Sequence, residues 1–345
     1  MKKLFCIGLA VCMVCLIAFS GCGKQSDLPA GSPSAQAAGE NGGGVIVAKF
    51  AHALSPQSPY QTGAEKFKEL VEGKTGGKVV IEIYPNGQLG AERDLFEGLK
   101  LGTVEFAVGG MGVLSQAYEP KLEVFGLPFM FESREEVYEV LDGPVGQELY
   151  KPLLENQIEI VGNFEAGFRQ LSNSKRPINS IDDVKGLKIR TPEGSVYINT
   201  WNALGASPTP IAWNELYSAL QTGVVDGAEV PISNFATSGF GEVQKYYGWI
   251  NYMYDSIPFG ASKSFMDSLS PELQEAVREA AKEACDFERQ TVKEMEAQLQ
   301  AELEGQGVQF TTPDLEPFRA AVQPIYDNYA DKETLGKVQA ALGRQ

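Results

Sequence analysis

The chain has one histidine, His52, and five cysteines, four of them within the first 22 residues. A metal centre built on histidine and cysteine is excluded by that count. Only Cys285 remains in the body of the chain, so no intrachain disulfide can form there. No GxSxG, HExxH, phosphate-loop or CxxC pattern occurs, which leaves an α/β enzyme without its usual nucleophile and base. Carboxylates alone could still hold a metal, but the spacing of a calcium-binding EF-hand loop is absent. Positive charge is also scarce. Lys and Arg number 29 against 45 Asp and Glu, a net charge of −16, which argues against nucleic acid or an anionic lipid surface as partner. An anionic ligand must therefore be held by a local positive site working against the overall field.

What is present points to an exported, folded body. With 345 residues, 43% hydrophobic and 10% aromatic, the chain is globular and long enough for two domains. Lys2 and Lys3 precede an apolar stretch from Leu4 to Phe19, too short for a comfortable membrane span, and small Ser20 and Gly21 lead to Cys22. That is the pattern of a cleavable export signal over residues 1–21. The small residues before Cys22 resemble a bacterial lipobox, with Cys22 as the lipidated first residue and Phe19 in place of the more usual leucine. The Gly-, Ser-, Ala- and Pro-rich segment after it, to residue 44, has no apolar period and reads as a flexible tether. The expected location is the outer face of the cell membrane or the periplasm, held by the N-terminal lipid alone.

From residue 45 strands and helices alternate. Residues 45–52, 78–85 and 104–110 read as strands, with helices carrying Phe67, Leu70 and Val71, then Leu95 and Leu99, between them. This order predicts a parallel sheet with ligands outside the carboxyl ends of its strands. A second cycle follows: strands at 159–168, 186–190 and 207–211, and helices at "SVYINTWNALG" and "AWNELYSALQTGVVDG". Ser270 and Pro271 then open a helix of roughly 33 residues, about 50 Å long, which exceeds the need of one lobe. The fold class expected is therefore α/β: two lobes joined by a long helix spanning both. Cys285 lies in that helix as packing.

Candidate site residues follow from this frame. In "GLKIRTPEG" the strand ends on Arg190, placed either to pair with a surface carboxylate or to catch an anion at the mouth of a cleft. His52 ends the first strand, where it either meets a ligand or hydrogen-bonds the adjacent loop. Trp213 sits in a helical pattern that suits core as well as cleft. Arg93 in "LGAERD" faces either the cleft or Asp94 and Glu97 on its own helix.

The segment from Gly167 to Pro231, together with "YPNGQLGAERDLFEGLKLGTVEFAV", "FGLPFMFES" and "LSPELQ", resembles the substrate-binding subunits, DctP-type, of tripartite ATP-independent periplasmic (TRAP) transporters. The likeness covers about residues 45–325. It implies a two-lobed periplasmic-binding-protein fold, type II-like, one lobe from 45–166 plus about 256–295, the other from 167–255 plus about 296–345. It implies no catalysis and no cofactor. The partners are an organic acid (uronate, dicarboxylate, keto or hydroxy acid, or aromatic acid) and the TRAP integral membrane subunits. Arg190 matches the arginine that grips a ligand carboxylate with its planar fork. Arg169 matches a second arginine that touches the carboxylate in some members, and Trp213 an aromatic lining the cleft.

The chain departs from the pattern in two places. In "VDGAEVP" many relatives carry Asn where Val230 stands, beside Glu229. Gly109-Gly110-Met111 replaces a glutamate of the sialic-acid-binding relatives. Both changes remove polarity and argue against a sialic acid. They suggest a less hydroxylated or partly apolar acid lined by Met111, Trp213, Val230 and Phe235, unless Glu165, Glu193 and Asn214 restore polarity. A binding protein of an ATP-driven importer, or a ligand-sensing subunit without transport, remain as alternatives.

Overall fold

The computed structural model describes residues 44–344; the signal segment, Cys22 and the tether up to residue 43 lie outside the described residues. Strands β1 (Ile46–Ala51), β2 (Val79–Tyr84) and β3 (Phe106–Val108) pair in parallel in the order β2-β1-β3. The helix Pro59–Lys74 starts where the Ser58 hydroxyl accepts the Gln61 N–H at 3.4 Å. Tyr60, Gly63, Ala64, Phe67 and Val71 form its buried stripe at helical spacing. Phe67 meets Phe106 and Phe259 with ring centroids 4.9 Å apart in each case, which fixes helix to sheet.

The second half repeats the first. Strands β5 (Lys188–Thr191), β6 (Ser207–Pro210) and β7 (Gly227–Val230) are parallel in the order β6-β5-β7. The two halves meet in β4 (Ile158–Asn173) and β8 (Tyr246–Ser262), of 16 and 17 residues, which pair antiparallel along their lengths. The full order is β2-β1-β3-β8-β4-β7-β5-β6, with β9 (Gln309–Thr311) beside β8. The sheet is therefore mixed rather than wholly parallel as the sequence predicts. Parallel pairing holds within each half; β4 and β8, which run through both, reverse it in the middle.

The long helix runs over Pro271–Gly305, 35 residues, with the Ser270 hydroxyl accepting the Leu273 N–H at 3.4 Å. It packs on the helix Pro59–Lys74 and on β4, and further along on the helix Ile232–Thr237 and on β9, so it touches both halves. Cys285 is buried in its stripe as expected. A methyl group on Gly162 of β4 would lie 2.5 Å from Cys285 Sγ, so only glycine lets the strand pass there. Among the described residues no helix is long and apolar enough to cross a membrane.

Where β4 and β8 cross between the halves, their register shifts between Glu165 and Gly167. Glu165 is fully buried there. Arg134 Nε donates to its Oε1 at 2.9 Å, the Tyr138 hydroxyl to its Oε2 at 2.6 Å, and the Tyr254 hydroxyl to the same oxygen. Arg134 Nη2 also donates to Glu296 of the long helix, and Glu288 of that helix accepts the Glu165 backbone N–H at 3.0 Å. One guanidinium thus ties the crossing strand to the helix that braces it. Burial raises the carboxyls of Glu165 and Glu296, and Arg134 opposes that rise. Arg134→Ala leaves both without a cation and is expected to cost about 3–5 kcal/mol near neutral pH. Groups whose folded pKa is raised lose stability as pH climbs, so the cost should be smaller at pH 5 than at pH 8. Urea denaturation at both values measures this; an unchanged midpoint would mean the network does not support the crossing.

Candidate functional site

Arg190 is the third residue of β5, between β6 and β7, and is 3% exposed. The surface ion pair is thereby ruled out. Its Nε donates to the Ile211 carbonyl at 2.8 Å, and its guanidinium lies 5.6 Å from the centre of the Trp213 ring. Among the described residues neither Nη1 nor Nη2 has a hydrogen-bond partner, and no carboxylate lies at ion-pair distance. Burial lowers the guanidinium to about 10; Glu229 and Glu92 oppose the fall and the like charge of Arg169 adds to it. Arg190 stays protonated at neutral pH, a buried cation with its fork free.

Arg169 on β4 is in the opposite condition. Its Nε donates to Glu229, its Nη2 to the Glu229 carbonyl at 2.6 Å and to Oε1 at 2.9 Å, and its Nη1 to Asp255 Oδ2. Four of its five N–H groups are taken. Pairing of β4 with β7 brings Glu229 alongside, and pairing with β8 brings Asp255. The Tyr252 hydroxyl also donates to Glu229, and the Tyr197 ring lies 5.4 Å from the Arg169 guanidinium. The resemblance placed both arginines on the ligand; the geometry leaves Arg190 free and commits Arg169 to two carboxylates of its own chain.

Glu92, first residue of the helix Glu92–Leu101, completes the recess. A methyl group on Gly110 would lie 3.5 Å from Glu92 Oε2, and the Gly110 N–H supports that carboxylate. Burial raises Glu92 to about 7, with the charge of Asp255 adding to the rise and Arg190 and Arg169 opposing it. Tyr60 is buried within reach of the Asp255 and Glu92 charges, and the Asn234 side chain lies against its hydroxyl. Glu92, Asp255, Tyr60, Tyr197 and Asn234 were not singled out in the sequence. Two of them had a signal: Glu92 adjoins Arg93, and Asp255 is a lone acid inside the aromatic-rich run 246–262.

Other candidates fall elsewhere. Val230 and Phe235 are fully buried in an apolar cluster with Leu216, Phe240 and Tyr247. Met111 is buried among Leu95, Phe96 and Leu114. All three are buried, as Arg190 is. His52 is buried, Nε2 3.0 Å from Gln61 Oε1, while its backbone holds Tyr84 and Gly87, so it pins the loop. Burial lowers its pKa and the Gln61 contact opposes that. Arg93 pairs with neither Asp94 nor Glu97 but with Glu193 on the far side of the mouth, Nε to Oε2 at 2.9 Å. Ser55 likewise donates to the Thr237 carbonyl at 3.2 Å, and Trp213 packs against the apolar clusters of both halves. A groove of about 260 Å³ opens beside it, with Ser55, Asn86 and Asn214 in its wall. Glu165 belongs to the strand crossing and not to this recess.

Two repeated α/β halves, with a buried guanidinium whose terminal nitrogens have no partner among the described residues, make a two-lobed fold of the binding-protein class. The family model described as bacterial extracellular solute-binding protein, family 7, matches residues 50–333, and the chain belongs to that family. The C4-dicarboxylate-binding periplasmic protein DctP of Rhodobacter capsulatus is 34% identical over 303 residues, 86% of this chain and 91% of that protein. The sugar acid binding protein of Advenella mimigardefordensis, solved with galactonate, superposes with a TM-score of 0.84 at 30% identity, covering 86% of this chain and 97% of the other. A TRAP periplasmic solute binding protein of Sulfurospirillum deleyianum, solved with succinate, gives 0.81 at 32% identity, covering 86% and 99%. The two-lobed fold and the TRAP resemblance are thereby established.

Glu92 gives the recess a titration that can be followed without any ligand. Its raised pKa makes folding favourable below the ordinary carboxylate range, and that contribution is lost as pH climbs to about 7. Relative to wild type, Glu92→Gln should gain melting temperature as pH rises from about 4.5 to 7, and the difference should level off above. Thermal melts at half-unit steps test this; a pH-independent difference would show that Glu92 titrates normally.

Proposed function

We propose that this chain is the extracytoplasmic solute-binding subunit of a TRAP transporter, which closes its lobes on an organic acid and delivers it to the membrane subunits. One observation carries the carboxylate: Arg190 is buried, and among the described residues neither terminal nitrogen has a partner. A carboxylate reaching it would form two parallel N–H···O bonds in a site screened from water, where such a pair counts for more than at a surface. Trp213 would cover the carbon skeleton, and the Arg93–Glu193 and Ser55–Thr237 contacts would hold the mouth shut. We divide the lobes near residue 166 on β4 and residue 256 on β8, a reading supported by the register shift there. Organic acids bound by the Advenella and Sulfurospirillum proteins agree with it. Catalysis has no part in this reading.

Lys2-Lys3, the apolar stretch and Ser20-Gly21-Cys22 support export with lipid attachment at Cys22. Detergent-extractable membrane association is expected for the native protein and a soluble product for Cys22→Ser; equal partition of the two would remove the anchor from the reading.

Arg190→Ala would strand the ligand's carboxylate and should cost roughly 2–5 kcal/mol, tens- to thousands-fold in affinity. Arg190→Lys should recover part of it, supplying charge without the fork. Calorimetry with whichever acid first raises the melting temperature in a screen of aldonates, uronates and dicarboxylates measures this. An Arg190→Ala protein that keeps its fold and wild-type affinity would overturn the assignment.

A further inference from the structure

The recess has more to give a ligand than a place for one carboxylate, and the inventory of its remaining groups is lopsided. Arg169, whose like charge acts on Arg190, has a single N–H left among the described residues after Glu229 and Asp255. Cationic capacity is therefore limited to one anionic group. Against it stand three acceptors. Asp255 Oδ1 has no hydrogen-bond partner among the described residues, since only Oδ2 meets Arg169. The Glu92 carboxylate is supported by the Gly110 N–H and no side-chain donor is bonded to it among the described residues. Asn234 Oδ1 is the independent sign that something is to be received: the residue is 3% exposed, the oxygen is buried, and among the described residues it has no partner. A buried amide oxygen left unpaired is costly, and native structures seldom leave one without reason. Tyr60 joins the three, because Asn234 lies against its hydroxyl while the charges of Asp255 and Glu92 act on it.

We propose that this recess takes a monocarboxylate whose other polar groups donate hydrogen bonds, and turns dicarboxylates away. The proposal rests on the reading that Arg190 holds the ligand's carboxylate. With that group seated, the rest of the molecule meets Asp255, Glu92 and the Asn234 oxygen, which accept from hydroxyl or ammonium groups. A second carboxylate would face like charge with no free guanidinium to offset it, and like-charge juxtaposition in a desolvated site weakens binding steeply. This preference differs from the less hydroxylated acid expected from Val230. Polarity lost at that strand end returns on the following helix, Ile232–Thr237, at Asn234.

Calorimetry at pH 8 on the full chain tests it, with galactonate and glucuronate as hydroxylated monocarboxylates, serine for the ammonium arm, and succinate and malate as dicarboxylates. Binding of a hydroxylated or amino monocarboxylate at least about a hundredfold tighter than either dicarboxylate supports the proposal. The best binder's arm tells hydroxyl from ammonium. Glu92→Gln should narrow the gap by admitting succinate; Asp255→Asn should do the same, and Glu92→Gln serves alone if loss of the Arg169 contact unfolds the latter. Succinate or malate binding as tightly as the best monocarboxylate, or a gap unmoved by Glu92→Gln in a folded protein, overturns it. Failure of the Arg190 reading is seen separately: Arg190→Ala would then leave the affinity of the same probe unchanged.

Discussion

A guanidinium buried without a carboxylate sets the terms for everything around it. Arg190 and Arg169 are neighbours in space with the same side chain, yet Arg169 has four of its five N–H groups bonded and Arg190, among the described residues, only its Nε. Glu229 and Asp255 are both drawn to Arg169 by strand pairing, β7 on one side and β8 on the other. Both carboxylates are thereby taken up by Arg169, and among the described residues neither reaches the Arg190 fork. Desolvating an unpaired cation is costly. On the proposed function, a fold that retains one, with a backbone carbonyl on Nε alone, would hold it ready for an anion from outside. That reading also fits an acidic chain to an anionic ligand: the surplus of acid is general, whereas the site would be one residue placed by one strand.

The crossing of the strands is a second buried ion cluster, built from different parts. There a single cation, Arg134, serves Glu165 and Glu296, and two tyrosine hydroxyls complete the coordination of Glu165. Specific hydrogen bonding at that point fixes where the ribbon of β4 and β8 departs from regular pairing. The recess lies just beyond it, since Arg169 follows Glu165 by four residues on the same strand. Mechanical and chemical functions thus share β4 in adjacent turns of the chain.

Much of this was legible in the sequence, for physical reasons that can be named. Short strands with period-two burial, such as Ile46–Ala51 and Val79–Tyr84, and capped helices, such as that opened by Ser270-Pro271, declare themselves locally. The place of Arg190 on a short strand was legible because Leu187 and Ile189 alternate with polar residues before it. β8 was not, because it is buried on both faces, carries Pro258, and so shows no alternation. With β8 unread, Asp255 had no place, and the commitment of Arg169 could not be foreseen. Val230 was open to two readings for a related reason: a residue at a strand end points either to the cleft or to the core, and the departure from the family's asparagine said nothing about which.

The halves are joined by two strands hydrogen-bonded to each other along their lengths, and not by two separate strings. A pair of independent linkers lets two bodies slide, twist and part. A ribbon stiff in its own plane permits one easy movement, a bend across its width, with the long helix as a splint along one side. Any opening of the mouth then becomes a rotation with a single coordinate. On the proposed function, Arg93 leaving Glu193, Ser55 leaving Thr237 and Trp213 leaving one of its two clusters would be stages along that coordinate, and a partner sensing one of them would sense all.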